Sequence, residues 1–473
     1  MHNIFVPIER WVKISILTFL SLYALFVIGM ALYNVDEGGS SVLVVCGSGL
    51  WFVFCTCLPL IFYKKEYGYC HPLVVAALLA LPSIVLRETG LFTLGLTHNV
   101  MLDGISWQDL NYLCAYGYFL RGLAALMTIL GYQYLIGRSR RQILAPVGQS
   151  ARPVSGLVYV FLGLTFLVSF GAFYILCGRA GGLIEVVTTG RGLARAEGTA
   201  GISGHLVAAV NLSVVTAILW SCFDRRAFRN PIFLAMAASS CIMAYLSDGR
   251  RSDLIYPIIM LSLCYVMVTG RVPKVTAAVF CGLSILLVGI LGQMRVISQQ
   301  GSGFFDIQSQ SIVEYANEAL EEMTSRSGSR SVYYPVLERV PGDIDLLYGR
   351  GYLEYLYIFI PRVFWPDKPR GIDYLACQTF YGGTWGMPPG GVGEAYWNFH
   401  ILGVIGVFFL YGMFNGYLAS WVVSARGNSG VMAVYLISAF YLYPAQGSFR
   451  RWMWAVVPAI VIISLGRLGQ KRG

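Results

Sequence analysis

The chain has little charge. Asp, Glu, Lys and Arg make up 12% of its 473 residues, roughly half the share in a soluble globular chain, which excludes a wholly water-facing surface. Histidine is also scarce: His2, His71, His98, His205 and His400 are dispersed, without the spacing of a zinc or other transition-metal site. The eleven cysteines are an odd set that falls mostly in apolar runs. That excludes a disulfide framework and fits cysteine as a small hydrophobe. Cys55 and Cys57 lack a second pair or a nearby His, and only Cys377 is expected in an external loop. No internal repeat is visible, parallel or inverted. The first apolar run is long and lacks a small-residue cleavage pattern, so it reads as a span rather than a signal peptide. Neither a cofactor nor a metal is expected.

What is present is apolar. Hydrophobic residues make up 56% and mean hydropathy is +0.64. Runs of about 20 apolar residues recur, each long enough to cross a hydrocarbon core of about 30 Å. The candidate spans are 14–33, 42–63, 72–88, 107–136, 154–177, 204–222, 231–246, 254–269, 275–293, 398–421, 431–443 and 452–468. Only helices or closed barrels satisfy the backbone in lipid. The pattern therefore predicts an all-α polytopic membrane protein with about 12 transmembrane helices, a single transmembrane domain over 1–473 in the lipid bilayer.

Loop charge orients it. With a cytoplasmic N-terminus, the inner segments carry seventeen basic residues, among them Arg10, Lys64, Lys65, Arg138, Arg140, Arg141, Arg225 and Arg229, against the acids Glu9, Glu66 and Asp224. The inner side is then +14 and the rest of the chain −4, within a net charge of +10. This asymmetry places both termini in the cytoplasm and the outer loops in the periplasm. The basicity reflects membrane orientation and not nucleic-acid binding.

Two outer loops are long. The first, 178–204, carries Arg179, Arg191 and Arg195. The second, 294–397, is rich in Tyr, Phe and Trp, so its composition is not that of a disordered segment. Within it, Ser311-Ile-Val-Glu314 has the form of a capping box, and Ile312, Ala316, Ala319, Leu320 and Met323 follow helical spacing, predicting a surface helix. The run from Leu346 to Ile360 is apolar and too short to span, predicting a helix that dips into the interface. The stretch from Tyr381 to Gly393 is a string of Gly/Pro turns.

Arginines on the outer side oppose the usual bias and need a reason. Arg250 and Arg251 sit in the tight turn Ser247-Asp-Gly-Arg-Arg-Ser-Asp253, where guanidinium forks suit phosphate oxygens. Pairing with Asp248 and Asp253 is the plain alternative. Arg362 follows the dipping helix, and Arg450 and Arg451 occupy the last outer loop. Arg121 falls within an apolar span; it either lines a groove for a lipid phosphate or bonds to backbone carbonyls. Glu394 opens the tenth span, where a carboxylate could take a proton from an attacking hydroxyl or simply cap its helix or pair with an arginine. His400 is a second candidate base or a satisfied interfacial histidine. Trp385, Tyr396 and Trp397 either stack on sugar faces or form an aromatic belt.

Three motifs occur together: Ser247-Asp-Gly-Arg-Arg251, Pro361-Arg-Val-Phe-Trp-Pro-Asp-Lys-Pro369, and Pro388-Pro-Gly-Gly-Val-Gly-Glu-Ala-Tyr-Trp-Asn-Phe399. In this combination the chain resembles the oligosaccharide repeat-unit (Wzy-type, O-antigen) polymerases over about residues 245–420. His400 departs from the pattern, which would place Gly there. The resemblance implies a multi-helix membrane glycosyltransferase of the bacterial inner membrane, with a large periplasmic loop over a lipid-accessible cavity. It would move a growing glycan from undecaprenyl diphosphate to the non-reducing end of a lipid-linked oligosaccharide repeat unit, without a metal. Arg250, Arg251, Arg362, Arg450, Arg451, Arg179, Arg191 and Arg195 would hold diphosphate, with Glu394 and Arg251 catalytic. A chain-length-regulating co-polymerase and a flippase are implied partners. An O-antigen ligase, or a flippase or other transporter, is the alternative. A transporter more often shows internal repeats and midplane charge.

Overall fold

The computed structural model describes residues 9–33, 40–61, 70–83, 107–143, 156–183, 203–224, 226–248, 251–270, 332–360, 364–383, 386–424, 428–441 and 449–468. Among them every regular element is helical. In chain order they are α1 (Arg10–Tyr33), α2 (Ser40–Ile61), α3 (Pro72–Ser83), α4 (Trp107–Ile143), α5 (Gly156–Arg179), α6 (Ser203–Phe223), α7 (Pro231–Asp248), α8 (Arg251–Thr269), α9 (Tyr333–Arg339), α10 (Arg350–Tyr357), α11 (Ile372–Tyr381), α12 (Gly390–Ser424), α13 (Ser429–Tyr441) and α14 (Phe449–Leu468).

Six of them, α1, α2, α4, α5, α6 and α12, are long and apolar enough to cross a membrane. Their outward faces are apolar as well. On α1, Leu22, Leu25 and Leu32 are exposed, and on α5, Leu164, Leu167 and Val168. Such continuous apolar surface is unstable against water and suits lipid. Pro59, Pro257 and Pro458 lie inside α2, α8 and α14, as membrane helices tolerate. Eleven of the twelve candidate spans coincide with a helix; the described part of α3 ends at Ser83, and 84–88 lie outside the described residues. The span 275–293 and the surface helix from Ser311 lie outside the described residues, as does most of 178–204.

Two apolar clusters make up most of the interior. One joins α1, α2 and the first half of α4 to α9, α11 and the start of α12. The other joins α3, α5, α6, α8, α13, α14 and the second half of α12. The α4–α12 crossing links them and is close because its contact residues are small. A Cβ on Gly412 would lie 2.0 Å from the Thr128 carbonyl oxygen, and one on Gly131 would lie 2.0 Å from that of Phe409. Gly412 and Gly416 thus form the small-xxx-small face that lets membrane helices touch backbone to backbone.

α12 is bent. Phe399 and His400 leave helical geometry, and His400 takes φ +55°, a left-handed conformation that glycine accepts and a side chain resists. The bend splits α12 into a leading helix, 390–398, and a longer one, 401–424. The latter's 24 residues measure about 36 Å, enough to cross alone. At the bend the carbonyls of Trp397 and Asn398 accept from the amides of Leu347 and Tyr348, at 3.0 and 3.1 Å, so the backbone just before α10 is stitched to α12.

The dipping segment is shorter than the sequence predicts, since Leu346–Ile360 contains only the two turns of α10. Its orientation is inside-out for water: Glu354 is buried while Leu353 and Leu356 are exposed. That arrangement matches a helix lying in the membrane interface. Cys377 sits within α11 and is fully buried, not in an open loop.

Candidate functional site

α10 and the leading part of α12 bring a carboxylate and a phenol together. The Tyr355 hydroxyl donates to Glu394, at 3.1 Å to Oε1 and 3.4 Å to Oε2. Burial pushes the Tyr355 phenol far above its usual range. The charges of Glu394 and Glu354, the hydrogen bond to Glu394 and the charge of Asp373 push it further. The phenol therefore remains protonated and is a fixed donor. Among the described residues nothing caps α12 through Glu394 and no arginine pairs with it.

The neighbouring acid is structural. Glu354 Oε2 accepts the Ile372 amide at 2.7 Å, satisfying the first free N–H of α11. A Cβ on Gly371 would come within 2.5 Å of that oxygen, so the glycine is what lets Glu354 reach the helix end. Asn398 adds a second clamp: its Oδ1 accepts the Gly351 amide at 3.2 Å, and its Nδ2 donates to the Glu394 carbonyl at 2.8 Å. Glu394 is held from both sides.

Beside it lies an unused hydroxyl. The Tyr352 phenol oxygen is buried without a hydrogen-bond partner, although its ring stacks on Phe399 at 6.5 Å. Burial and the Glu394 charge raise its pKa well above that of a free phenol. A buried polar group left unpaired costs stability.

Helix ends distant in sequence gather at the same end of the bundle. The C-terminal end of α5, the N-terminal end of α6 and the C-terminal end of α7 share a cluster containing Leu176, Cys177, Val210 and Met243. This sets exposed Arg179 and the start of α8, where Arg251 lies, at one end. His205 at the head of α6 meets Trp454 near the head of α14, with ring centroids 5.6 Å apart, and Trp454 meets Phe359 at 4.7 Å. Arg450 and Arg451 lie in the first turn of α14, and Phe359 is one turn beyond Tyr355. Arg191, Arg195, Arg250, Arg362 and Trp385 lie outside the described residues.

Two of the aromatic candidates need correction. Trp397 is 1% exposed and Tyr396 3%. The Trp397 ring packs on Phe380, and its Nε1 donates to the Asp345 carbonyl at 3.3 Å. Tyr396 meets Tyr116 and His400. Neither presents an open face to a sugar, because both pack the outer segment against α4 and α12. His400 Nε2 lies 2.8 Å from the Tyr396 hydroxyl. Arg121, read from sequence as deep in a span, lies beneath the aromatic residues of α9, 4.7 Å from the Tyr333 ring centroid and 5.7 Å from that of Tyr118.

Sequence reasoning missed Tyr352, Tyr355 and Glu354, and also two cations nearby in the chain. Lys368 Nζ donates to the Ile358 and Ile360 carbonyls, at 3.2 and 2.9 Å, closing the end of the α10 segment. Arg370 lies 3.9 Å from the Tyr374 ring centroid. The signal for Tyr355 was its place in a segment whose apolar side faces outward, which leaves Tyr and Glu to face the protein. Compared with protein-family models, with curated proteins and with solved structures, the chain finds no match.

Proposed function

We propose that the protein is a membrane glycosyltransferase, a polysaccharide polymerase that acts on undecaprenyl-diphosphate-linked oligosaccharide at the periplasmic face of a bacterial inner membrane. In this reading the chain crosses about 12 times with both termini in the cytoplasm, and 294–397 forms the large outer loop. The observation that carries it is Glu394, held by Tyr355 at the bundle end where the helix ends bearing Arg179, Arg251, Arg450 and Arg451 gather.

The chemistry follows from that arrangement. The acceptor sugar's hydroxyl gives its proton to Glu394 as its oxygen bonds to the anomeric carbon of the donor glycan. The bond from that carbon to the carrier's diphosphate oxygen breaks, and the electron pair leaves with the diphosphate. Arginine forks stabilise the charge developing there. Tyr355 aims the carboxylate, and the free Tyr352 hydroxyl offers the acceptor a hydrogen bond.

The test is to incubate the purified full chain with a lipid-linked repeat unit and resolve the products by size. A ladder of multiples of the unit supports polymerisation. Transfer of a single unit to a lipid A core acceptor would make the protein a ligase, and movement across vesicles without new bonds would make it a transporter.

A further inference from the structure

With Tyr396 and Trp397 packed inward, two rings near Glu394 stay open: Tyr348 is 75% exposed and Phe399 39%. The Phe399 ring lies nearly parallel to that of Tyr352, with 22° between the planes. A Cβ on Gly349 would stand 3.3 Å from the Phe399 Cζ, so the glycine leaves the ring room against the start of α10. The Tyr348 amide donates to the carbonyl of Asn398, the residue before Phe399. The three residues therefore share one patch, built from the same two segments that carry Tyr355 and Glu394.

Helix geometry places that patch. Residues of an α-helix advance by about 100° each. On α10, Tyr352 lies about 60° round from Tyr355, and the exposed Leu356 and Leu353 lie about 100° and 160° round in the same sense. The aromatic strip thus falls between the Glu394 carboxylate and the side turned to lipid. Two further observations mark it. Among the described residues, Tyr348 and His400 are the non-glycine residues with left-handed backbone, at φ +46° and +55°, and His400 directly follows Phe399. Such conformations collect where ligands are clamped. The Tyr352 hydroxyl is buried without a hydrogen-bond partner, a donor that the fold leaves unused.

We propose that Phe399 and Tyr352, with Tyr348 at the edge, form a stacking subsite for a sugar ring of the lipid-linked acceptor. A pyranose has an apolar C–H face that lies on an aromatic ring and a rim of hydroxyls that need partners. Open rings, an unused phenol and a carboxylate match both halves. A lipid chain would cover the rings and leave the Tyr352 hydroxyl unpaired. The subsite rests on the polymerase reading for its ligand, and adds the sugar contact that Tyr396 and Trp397 do not make. Its position suits a sugar whose carrier stays in the membrane, because Leu353 and Leu356 border the strip on that side.

Binding without turnover tests this. The probe is the repeat-unit oligosaccharide freed from its lipid by mild acid, and its equilibrium binding to the full chain is measured in a detergent without a sugar headgroup. Phe399→Leu keeps the apolar bulk and removes the ring, and should weaken binding about tenfold, while Phe399→Tyr should stay close to wild type. Tyr348→Gly removes the outer ring and suits the left-handed backbone, so it decides if Phe399→Leu does not fold; it should weaken binding about threefold. Leu356→Ser, on the lipid side, should leave the affinity unchanged. In the ladder assay Phe399→Leu should raise the acceptor KM about tenfold and leave kcat nearly unchanged. Absence of oligosaccharide binding to wild type, or binding that neither ring removal weakens, overturns the proposal. Either result beside a normal wild-type ladder would discard the subsite and keep the polymerase. Ring-dependent binding without a ladder would keep the subsite and discard the polymerase.

Discussion

Tyr355 and Glu394 are 39 residues apart in sequence, and the hydroxyl of the first donates to both carboxylate oxygens of the second. The pair spans two elements, α10 and α12, that are held together by backbone bonds at the α12 bend and by the Asn398 side chain on the Gly351 amide. Their relation gives the Glu394 carboxylate a fixed hydrogen-bond donor.

If Glu394 accepts the acceptor's proton, Glu394→Gln should reduce turnover by about 10²-fold or more. Tyr355→Phe leaves the carboxylate but frees it, and should cost about 10- to 100-fold, the rate equivalent of a hydrogen bond to a charged group. Because the two residues act as one unit, the double variant should be little slower than Glu394→Gln alone. Ladder kinetics on protein of matched thermal stability measure all three. Near-normal turnover in the Gln variant removes Glu394 from the mechanism.

His400 makes a stability prediction independent of function. In an ordinary helix Ala is favoured over Gly by about 1 kcal/mol. At φ +55° the order should reverse, with His400→Gly more stable than His400→Ala by about 1–2 kcal/mol. Thermal unfolding of the two variants in the same detergent reads the difference. An Ala variant at least as stable as the Gly one would deny the bend its left-handed residue.

The α4–α12 crossing should tolerate no side chain at Gly412. Gly412→Ala puts a methyl against the Thr128 carbonyl and should cost about 1–3 kcal/mol. Gly406→Ala on the same helix, where nothing lies within 4 Å of the new atom, should instead be neutral or stabilise by up to about 1 kcal/mol. Equal effects at the two positions would mean the helices do not touch at Gly412.

Arg251 tests charge against shape. Arg251→Lys keeps the cation and loses the planar fork, so polymerisation should fall steeply while folded protein is retained. Normal ladders from both Arg251→Lys and Arg251→Ala would leave pairing with Asp248 or Asp253 as the better account of this turn.

The long helices were legible because lipid imposes a length and an apolar composition that a sequence displays directly, as α1 and α5 show. The outer elements were not. α9, α10 and α11 have seven to ten residues each, too short to be stable alone. They exist because Tyr333 reaches Gly117, Glu354 caps α11, and Asn398 holds Gly351. None of those contacts leaves a local pattern. Glu394 could be singled out from its place after a rigid turn, but its donor could not, because no periodicity connects Tyr355 to it. Trp397 and Tyr396 were misread for a related reason: an aromatic in an outer loop reads the same whether it faces a sugar or packs a small domain against the bundle. At position 400 the backbone is left-handed, a conformation that glycine accepts more readily than histidine, and no local pattern marks it.

The stitching at the bend separates what can vary from what cannot. Leu347 and Tyr348 dock on Trp397 and Asn398 through main-chain atoms, so substitutions along 343–348 can reshape the outer surface without undocking it. Adding or deleting one residue on either side is different, since it would slide the pairing and carry Tyr355 away from Glu394. In evolutionary terms, the loop is free to change its chemistry and not its length, so its surface can drift while the Tyr355–Glu394 pairing is preserved.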